Sequence, residues 1–274
     1  MPGGTRKRYP SKKNVTMRKK KISTKKRVPK PSKVLTKQVL SIIHKENESK
    51  QCFHTSGDTL IAFNSGINAT GDILRLVPNM SAGTAENQRV GDEVRAQKLS
   101  IKGVLQMYVN ADGNTVGPKR IAVRVMIVQP KRYNTWSDIQ TNMSNWSGSL
   151  LKKGGTVVSF TGIMSDIWAP INRPAITVYH DKLYYMNQEY LNNVTGVGIV
   201  PQIQGRNVCR FFSKTFKLRN KKLEYDANID SNLLPTKFMP VMIIGYVHLD
   251  GSAADVLTTQ VSVQYDTTLT YEDA

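Results

Sequence analysis

The stretch Lys98-Leu-Ser-Ile-Lys-Gly-Val-Leu-Gln-Met-Tyr-Val109 alternates apolar and polar side chains along most of its length. Successive side chains of a β-strand point to opposite faces, so this period of two predicts a strand with one buried and one solvated face. Residues 260–271 repeat the pattern, with Val261, Val263 and Tyr265 alternating with polar residues. Half-buried strands of this kind are typical of antiparallel sheets. The two stretches therefore indicate an all-β fold.

Further segments extend the set to eight predicted strands. Segment 240–249 is apolar on both faces and predicts a central strand, whereas 119–129 has one apolar face and places Arg120 and Arg124 on the other. The weaker candidates are 51–63, 72–77, 176–186 and 208–219. Eight strands with long connections in one domain indicate a β-sandwich or a jelly roll.

Two connections, 78–93 and 131–175, are too long for hairpins, and loops of that length usually carry function or contacts. The second holds all three tryptophans of the chain, Trp136, Trp146 and Trp168. Aromatic anchors are enriched in protein interfaces, so the tryptophans are candidate subunit-interface residues. The alternative is that each closes an end of the sandwich, and composition leaves both open.

The charge of the chain is concentrated at one end. Residues 1–37 contain fifteen lysines and arginines, and the first acidic residue of the chain is Glu46. The formal net charge is +19, so subtracting these fifteen cations leaves +4 for the rest. A block with one sign of charge cannot bury enough apolar surface to fold and attracts a polyanion. We therefore expect a disordered basic segment that binds nucleic acid by counterion release.

The predicted nucleic-acid-binding residues are the cations of this segment: Arg6, Lys7, Arg8, Lys12, Lys13, Arg18, Lys19, Lys20, Lys21, Lys25, Lys26, Arg27 and Lys30. Two clusters among them also have the composition of a nuclear-import signal, which the host nuclear import machinery would recognise. These are Arg18, Lys19, Lys20 and Lys21, followed by Lys25, Lys26 and Arg27. Because lysine is a point charge, we expect little selectivity for base sequence.

The domain prediction follows from this division of charge. Residues 1–45 form a basic segment that ends in a short amphipathic helix over 34–45, where Leu35, Val39 and Ile42 recur at helical spacing. Pro31 and Ser32 together form the start signal of that helix. Residues 46–274 form the β domain.

The sequence carries no pattern that predicts an enzyme. The four histidines, His44, His54, His180 and His248, show no metal-binding spacing, and the two cysteines, Cys52 and Cys209, form no Cys-x-x-Cys motif. Both cysteines are interpreted as reduced structural thiols. His180-Asp181 is interpreted as a pair of strand-end polar residues that bond to loop backbone, with acid/base chemistry as the alternative. No run of eighteen apolar residues occurs, so we expect no membrane partner.

Segment 208–223 interleaves aromatic residues with cations, including Phe211, Phe212 and Phe216 beside Lys214 and Lys217. One interpretation is a strand that faces nucleic acid or another subunit. The other is an amphipathic strand with its phenylalanines in the core and its lysines in solvent. Neither parity of the strand is cleanly basic, so the sequence leaves both open.

Four stretches resemble the capsid proteins of small circular single-stranded DNA viruses, the circovirus-like group. The first is the basic segment itself. The others are the join of Gly83–Asp92 to the Lys98–Val109 strand, the strand Val178–Lys182 ending in Asp-Lys, and the lysine-rich Phe216–Tyr225 closing on a tyrosine. Together they span most of residues 1–271.

This resemblance implies an eight-stranded antiparallel jelly-roll sandwich with a disordered basic segment. It also implies a shell of about sixty copies that packages viral single-stranded DNA, with RNA as the alternative, and a location in the virion and the host nucleus. Carboxylates meeting across subunit interfaces would favour Ca²⁺. The candidates are Asp72, Glu86, Asp92 and Glu93. No other cofactor is expected, and the rival hypothesis is a nuclear nucleic-acid-binding or shuttling protein.

Overall fold

The computed structural model describes residues 32, 34–35, 49–61, 66–67, 70–107, 119–191, 202–226, 228, 233–251 and 261–273. Packing contacts divide the chain into two units, Met1–Glu46 and Asn47–Ala274. The predicted nucleic-acid-binding and nuclear-import residues all lie outside the described residues, so both assignments stay predictions.

Part of the predicted helix over 34–45 is described. Val34 and Leu35 are helical, and the Leu35 N–H donates a hydrogen bond to Ser32 Oγ at 3.1 Å. A serine that accepts this bond is an N-terminal helix cap. The cap lies where the sequence predicts the helix to begin, and the remaining residues of that helix are outside the described part of the chain.

The second unit contains eleven strands in its described residues. They are β1 Lys50–Ile61, β2 Leu74–Arg75, β3 Glu93–Met107, β4 Lys119–Pro130, β5 Leu151–Lys153, β6 Thr156–Val158, β7 Ile176–Leu191, β8 Gln202–Asn207, β9 Cys209–Glu224, β10 Val241–His248 and β11 Val261–Asp273. The helices are α1 Trp136–Thr141 and α2 Met143–Ser147, with 3₁₀ turns at Thr70–Asp72 and Met164–Ile167. All eight predicted strands are present.

Those eight strands pair in a nested order: β1 with β11, β2 with β10, β3 with β9, and β4 with β7, all antiparallel. This is the pattern of one long hairpin rolled into two sheets, and it defines a jelly roll. The four-stranded sheet has the order β1-β11-β3-β9, and the five-stranded sheet has the order β2-β10-β4-β7-β8. The all-β jelly-roll prediction is confirmed by this pairing.

The period-two segments bury the faces that the sequence predicts. In β3, Leu99, Ile101 and Leu105 are fully buried between the sheets, whereas Lys98 and Lys102 are exposed. Strand β10 lies between β2 and β4, and all eight of its residues are buried. A strand is buried on both faces only where each face is covered. The five-stranded sheet must therefore be covered on its outer face as well.

The connection 131–175 provides that cover and is more ordered than a loop prediction suggests. It contains α1, α2, the β5–β6 hairpin and a 3₁₀ turn, and it buries apolar side chains including Ile139, Leu150 and Phe160. The Phe160 ring lies against Gly245 of β10, where an added Cβ would be 2.5 Å from the ring. The helices have six and five residues, too few to show helical periodicity.

Strand β7 is longer than predicted. It runs through Asp181 and Lys182 to Leu191, so the expectation that Asp181 and Lys182 end the strand is wrong. The physical reason lies on the neighbouring strand β4. Arg124 Nε and Nη2 donate to the two Asp181 carboxylate oxygens at 2.8 and 2.6 Å, which neutralises the carboxylate in mid-strand.

Candidate nucleic-acid and subunit interfaces

Two of the stretches that carry the family resemblance meet in space. The Arg89 guanidinium lies 4.5 Å from the centre of the Tyr225 ring, a cation–π geometry, and it also contacts Asp92 at 3.1 Å. The Tyr225 N–H donates to the Asp92 carbonyl at 2.9 Å. Burial raises the pKa of Tyr225, because the ionised phenolate would lose its hydration. These residues therefore join the 78–93 connection to the end of β9.

The same connection is fixed to the edge of the four-stranded sheet. Gln88 offers its backbone carbonyl to the Tyr271 hydroxyl at 2.8 Å and to Lys50 Nζ at 3.3 Å. Lys50 also forms an ion pair with Asp273 at 2.7 Å, and Asp273 accepts a hydrogen bond from the Val90 N–H at 3.1 Å. A loop held at this many points is a structural element of the β domain.

Arg124 on β4 links the connection 131–175 to the five-stranded sheet by hydrogen bonds. Only 5% of its surface is exposed, and Nη1 donates to the carbonyls of Asp166 and Ala169 at 2.6 and 2.8 Å. Asp166 is itself buried and forms an ion pair with Lys153. A buried arginine needs both a counterion and acceptors for its remaining N–H groups, and this one has them.

The histidines with described surroundings occupy packed positions. Burial lowers the pKa of His180, and Lys214 and Lys182 lower it further against the opposing charge of Asp181. The Asp181 carboxylate forms an ion pair with Arg124 on the neighbouring strand β4. The expectation that Asp181 bonds to loop backbone is therefore wrong. His248 is buried at an edge-to-face contact of 5.9 Å with the Tyr246 ring.

The two cysteines are free and differ in environment. Cys52 is buried, its Sγ donates to the Asn79 carbonyl at 3.0 Å, and burial raises the pKa of its thiol. Cys209 is exposed at the start of β9. The interpretation as a structural thiol therefore fits the surroundings of Cys52 only.

The three tryptophans occupy different environments. Trp146 is 4% exposed and donates its indole N–H to the Ile139 carbonyl at 2.9 Å, so it packs inside the β domain. Trp136 is half-buried against the core. Trp168 is 70% exposed on the same connection, which also exposes Ile163 and Val157. The role of the tryptophans in a subunit interface stays a prediction, and Trp168 is the one whose side chain is exposed enough to contact another molecule.

The four candidate calcium ligands lie in or beside loops, as expected, but two of them already face cations. Glu93 forms an ion pair with Lys222 at 2.6 Å, and Asp92 contacts Arg89. Among the described residues, no three His, Cys, Asp or Glu side chains come together in a metal-binding arrangement. Calcium between copies of the chain stays a prediction.

The outer face of the four-stranded sheet carries the remaining exposed chemistry. Alternate residues of β9 point inward, where Phe212 is buried and Phe216 is half-buried, while Phe211 on the opposite face is 82% exposed. Phe53 of β1 is 61% exposed. Segment 208–223 is thus an amphipathic strand whose Phe212 and Phe216 face the core and whose Phe211 lies in solvent. The interpretation that it faces nucleic acid or another subunit stays a prediction.

Two adjoining grooves cross this outer face. The larger has a volume of about 550 Å³, and its lining includes Lys102, Val104, Phe211 and Gln264. The smaller, of about 350 Å³, is lined by residues including Phe53 and Lys102. Sequence reasoning identified the mixed character of 208–223 but missed Phe53, because a phenylalanine on a strand predicts burial unless the register of that strand is known.

Within the described residues, no helix is long and apolar enough to span a membrane. No protein-family model and no curated protein matches the chain. One similar solved structure is a chain of the full particle of Israeli acute paralysis virus heated to 63 degrees. It is 10% identical, with 79% of this chain and 67% of that chain covered and a TM-score of 0.32.

A second similar structure is the selenomethionine-labelled penton protein of mavirus. It is 8% identical, with 83% of this chain and 100% of that chain covered and a TM-score of 0.18. TM-scores at this level carry no argument about fold or function. The jelly roll of this chain rests on its own strand pairing, described above.

Proposed function

We propose that this chain is the capsid subunit of a small virus, which self-assembles into a shell and packages single-stranded nucleic acid through its basic N-terminal segment. The main support for this proposal is the division of charge, with fifteen cations in residues 1–37 and a net charge of only +4 in the rest of the chain. A fold alone does not determine function. The basic segment supports binding to a polyanion. The sequence resemblance to circovirus-like capsid proteins supports assembly into a shell and a single-stranded DNA genome.

The amount of charge sets the scale of the packaged strand. About sixty copies would bring about 900 positive charges from these segments, each able to neutralise about one phosphate by counterion release. Small cations can neutralise part of the remainder, so we expect a strand on the order of one to three thousand nucleotides. Extraction from purified particles, digestion with DNase or RNase and sizing on a gel measure both the type and the length.

The decisive experiment is expression of the full chain followed by size-exclusion chromatography and negative-stain microscopy. Closed particles support the capsid proposal. A stable species at the mass of one or two subunits, each 30.7 kDa, supports the rival, a nuclear nucleic-acid-binding or shuttling protein. Deleting residues 2–30 tests packaging separately, and we expect empty shells. A matched variant with the same length and glutamine in place of each cation distinguishes lost charge from lost chain.

Subunit contacts are expected to include the exposed apolar side chains of the connection 131–175. Replacing Trp168 with serine removes a large side chain that is mostly in solvent, so subunit stability should be unchanged while particle yield falls. Tyr185, which is 54% exposed on β7, provides the control, and Tyr185→Ser should assemble normally. Equal particle yields from the two variants would contradict a role for Trp168 in the interface.

Nuclear import by the two basic clusters is proposed on composition and is tested in cells. Glutamine in place of the cations at 18–21 and 25–27 should leave the full-length protein in the cytoplasm. Glutamine in place of Arg6, Lys7, Arg8, Lys12 and Lys13 is the control and should leave nuclear accumulation intact. Nuclear accumulation of both variants contradicts the proposal.

A further inference from the structure

The two broad faces of the sandwich differ in how they are covered. The five-stranded sheet is covered on its outer face by the connection 131–175, through Phe160 over Gly245 and through the Arg124 hydrogen bonds. On the four-stranded sheet, the described outer-face residues of β3 and β9 include exposed Lys98, Lys102 and Phe211. As far as the described residues show, this face of the four-stranded sheet is open to a large ligand.

Three exposed lysines lie on the open face, which also carries one exposed carboxylate, Asp266, opposite Lys102 in the β3–β11 register. Lys98, Lys102 and Lys217 form no ion pair among the described residues, whereas cations at the sheet's other end do, such as Lys222 with Glu93. Lys98 also lies directly opposite Lys217 in the β3–β9 register. Like charges directly opposite each other destabilise a sheet unless an anion neutralises both. The arrangement is complementary to a polyanion.

The same face exposes two aromatic rings. Phe53 lies on the edge strand β1 and Phe211 on the opposite edge strand β9, so three inter-strand spacings, roughly 14 Å, separate their strands. The registers place them four positions apart along β3, opposite Ser100 and Val104 through their partners, which adds about 13 Å along the sheet. Exposed rings among cations are the composition of single-strand binding surfaces, where bases stack on the rings.

Charge also selects among the possible occupants. Two copies packed face to face through this sheet would bring the three unpaired lysines of one copy against those of the other, which opposes such a dimer. A single-stranded nucleic acid satisfies both features, because phosphates neutralise the lysines and bases cover the phenylalanines. Neither contact distinguishes one base from another, so the surface should be sequence-tolerant.

We infer that the outer face of the four-stranded sheet is a second binding surface for single-stranded nucleic acid, with Lys98, Lys102 and Lys217 on phosphates and Phe53 and Phe211 stacked on bases. The inference rests on the proposed function for the identity of the ligand. In a shell, this face is turned toward the packaged strand, and the connection 131–175 lies on the opposite side of the subunit.

The first test maps contacts in the full chain. Oligonucleotides containing 5-iodouracil are crosslinked to the protein by ultraviolet light, and the crosslinked peptides are identified by mass spectrometry. Peptides containing Phe211 or Phe53 are expected in addition to those of the basic segment. Crosslinks confined to residues 1–45 overturn the inference.

The second test measures the salt dependence of oligonucleotide binding by the full chain. The triple variant Lys98→Ala, Lys102→Ala, Lys217→Ala should reduce the slope of log K against log salt by about 2, since each phosphate contact on a single strand contributes about 0.7. The control triple variant takes its exposed cations from the connection 131–175: Arg132→Ala, Lys152→Ala and Arg173→Ala. Equal slopes for the two variants overturn the inference.

The aromatic contribution is tested at high salt, where phosphate contacts are weak. Phe211→Ala should lower affinity about tenfold, and Phe211→Tyr should restore it because a tyrosine ring also stacks. An alternative role for lysines on β9 is to prevent edge-to-edge pairing of sheets. If the triple lysine variant aggregates while its slope and the Phe211→Ala affinity are unchanged, that role replaces the inference.

The outcome is separable from that of the proposed function. Packaging particles with crosslinks only in residues 1–45 overturn this inference and leave the capsid proposal standing. Protein that never forms particles but crosslinks at Phe211 overturns the capsid proposal and supports the binding surface.

Discussion

Replacing Arg124 with methionine should detach the connection 131–175 from the sheet beneath it. The methionine fills the apolar space of the arginine stem but donates no hydrogen bonds. The buried carbonyls of Asp166 and Ala169 then lose the donor that satisfied them, at about 1–3 kcal/mol each. Asp181 loses its partner but is 33% exposed, so solvent replaces part of that interaction. We expect a total loss of about 2–6 kcal/mol in the free energy of unfolding.

Asp181→Asn provides the second side of a double-mutant cycle. It leaves the Arg124 charge buried without a counterion, and we expect a loss of about 3 kcal/mol. The double variant should lose less than the sum of the single variants, by about 1–3 kcal/mol, because each single change leaves the other partner unpaired. Additive losses would show that the two side chains contribute independently.

The assay can report on the connection directly, because all three tryptophans of the chain lie within it. Urea unfolding of the unassembled chain is followed by tryptophan fluorescence for the connection and by circular dichroism for the sheets. The two transitions should coincide in the wild type and separate in Arg124→Met, with fluorescence changing at lower urea. Arg132→Met, at an exposed position, is the control. If Arg124→Met changes the free energy by less than about 0.5 kcal/mol, as surface substitutions do, the proposed attachment is wrong.

Three further outcomes are expected. Gly245→Ala should cost about 1–3 kcal/mol by forcing the Phe160 ring away, and Phe160→Leu should cost less in that background than in the wild type, as melting temperatures of all four variants will show. Burial lowers the pKa values of His54 and His180, so the unfolded chain binds more protons as pH falls below about 6.5, and stability should fall with it. A His54→Gln, His180→Gln variant should show a smaller drop in melting temperature between pH 7 and pH 5, and an equal drop would assign the effect to other groups. If the four loop carboxylates bind Ca²⁺ between copies, EDTA should lower the melting temperature of assembled particles. An unchanged melting temperature would contradict the predicted calcium site.

Two sequence patterns predicted strands correctly. Alternating apolar and polar residues mark a strand with one face in solvent, and a uniformly apolar run marks a strand that is covered on both faces. Alternation identified β3 and β11, and the uniformly apolar 240–249 identified the central β10. The end of β7 was not predictable, because Asp181 and Lys182 have the composition of a strand end. Only the pairing of Asp181 with Arg124, 57 residues away in the sequence, permits a carboxylate in mid-strand.

The candidate interfaces were predictable in kind but only partly in place. The three tryptophans share one connection, yet Trp146 is buried and Trp168 is exposed. Trp146 lies in α2, whereas Trp168 follows the 3₁₀ turn at Met164–Ile167. Phe211 and Phe212 are adjacent and equally apolar, and only the strand register places the first in solvent and the second in the core. Such distinctions depend on tertiary contacts that local sequence patterns do not contain.

The nested strand pairing has a consequence for synthesis. Strand β1 finds its only described sheet neighbour in β11, and Lys50 pairs with Tyr271 near the other end of the domain. Contacts that join such distant parts of a chain form late and slowly, because loop closure must be completed before they contribute. On a ribosome, the basic segment and β1 emerge before β11, and the jelly roll cannot close until β11 has been made. For that interval the fifteen cations of residues 1–37 are present on the nascent chain before the β domain has folded, so the proposed binding to nucleic acid does not depend on a completed jelly roll.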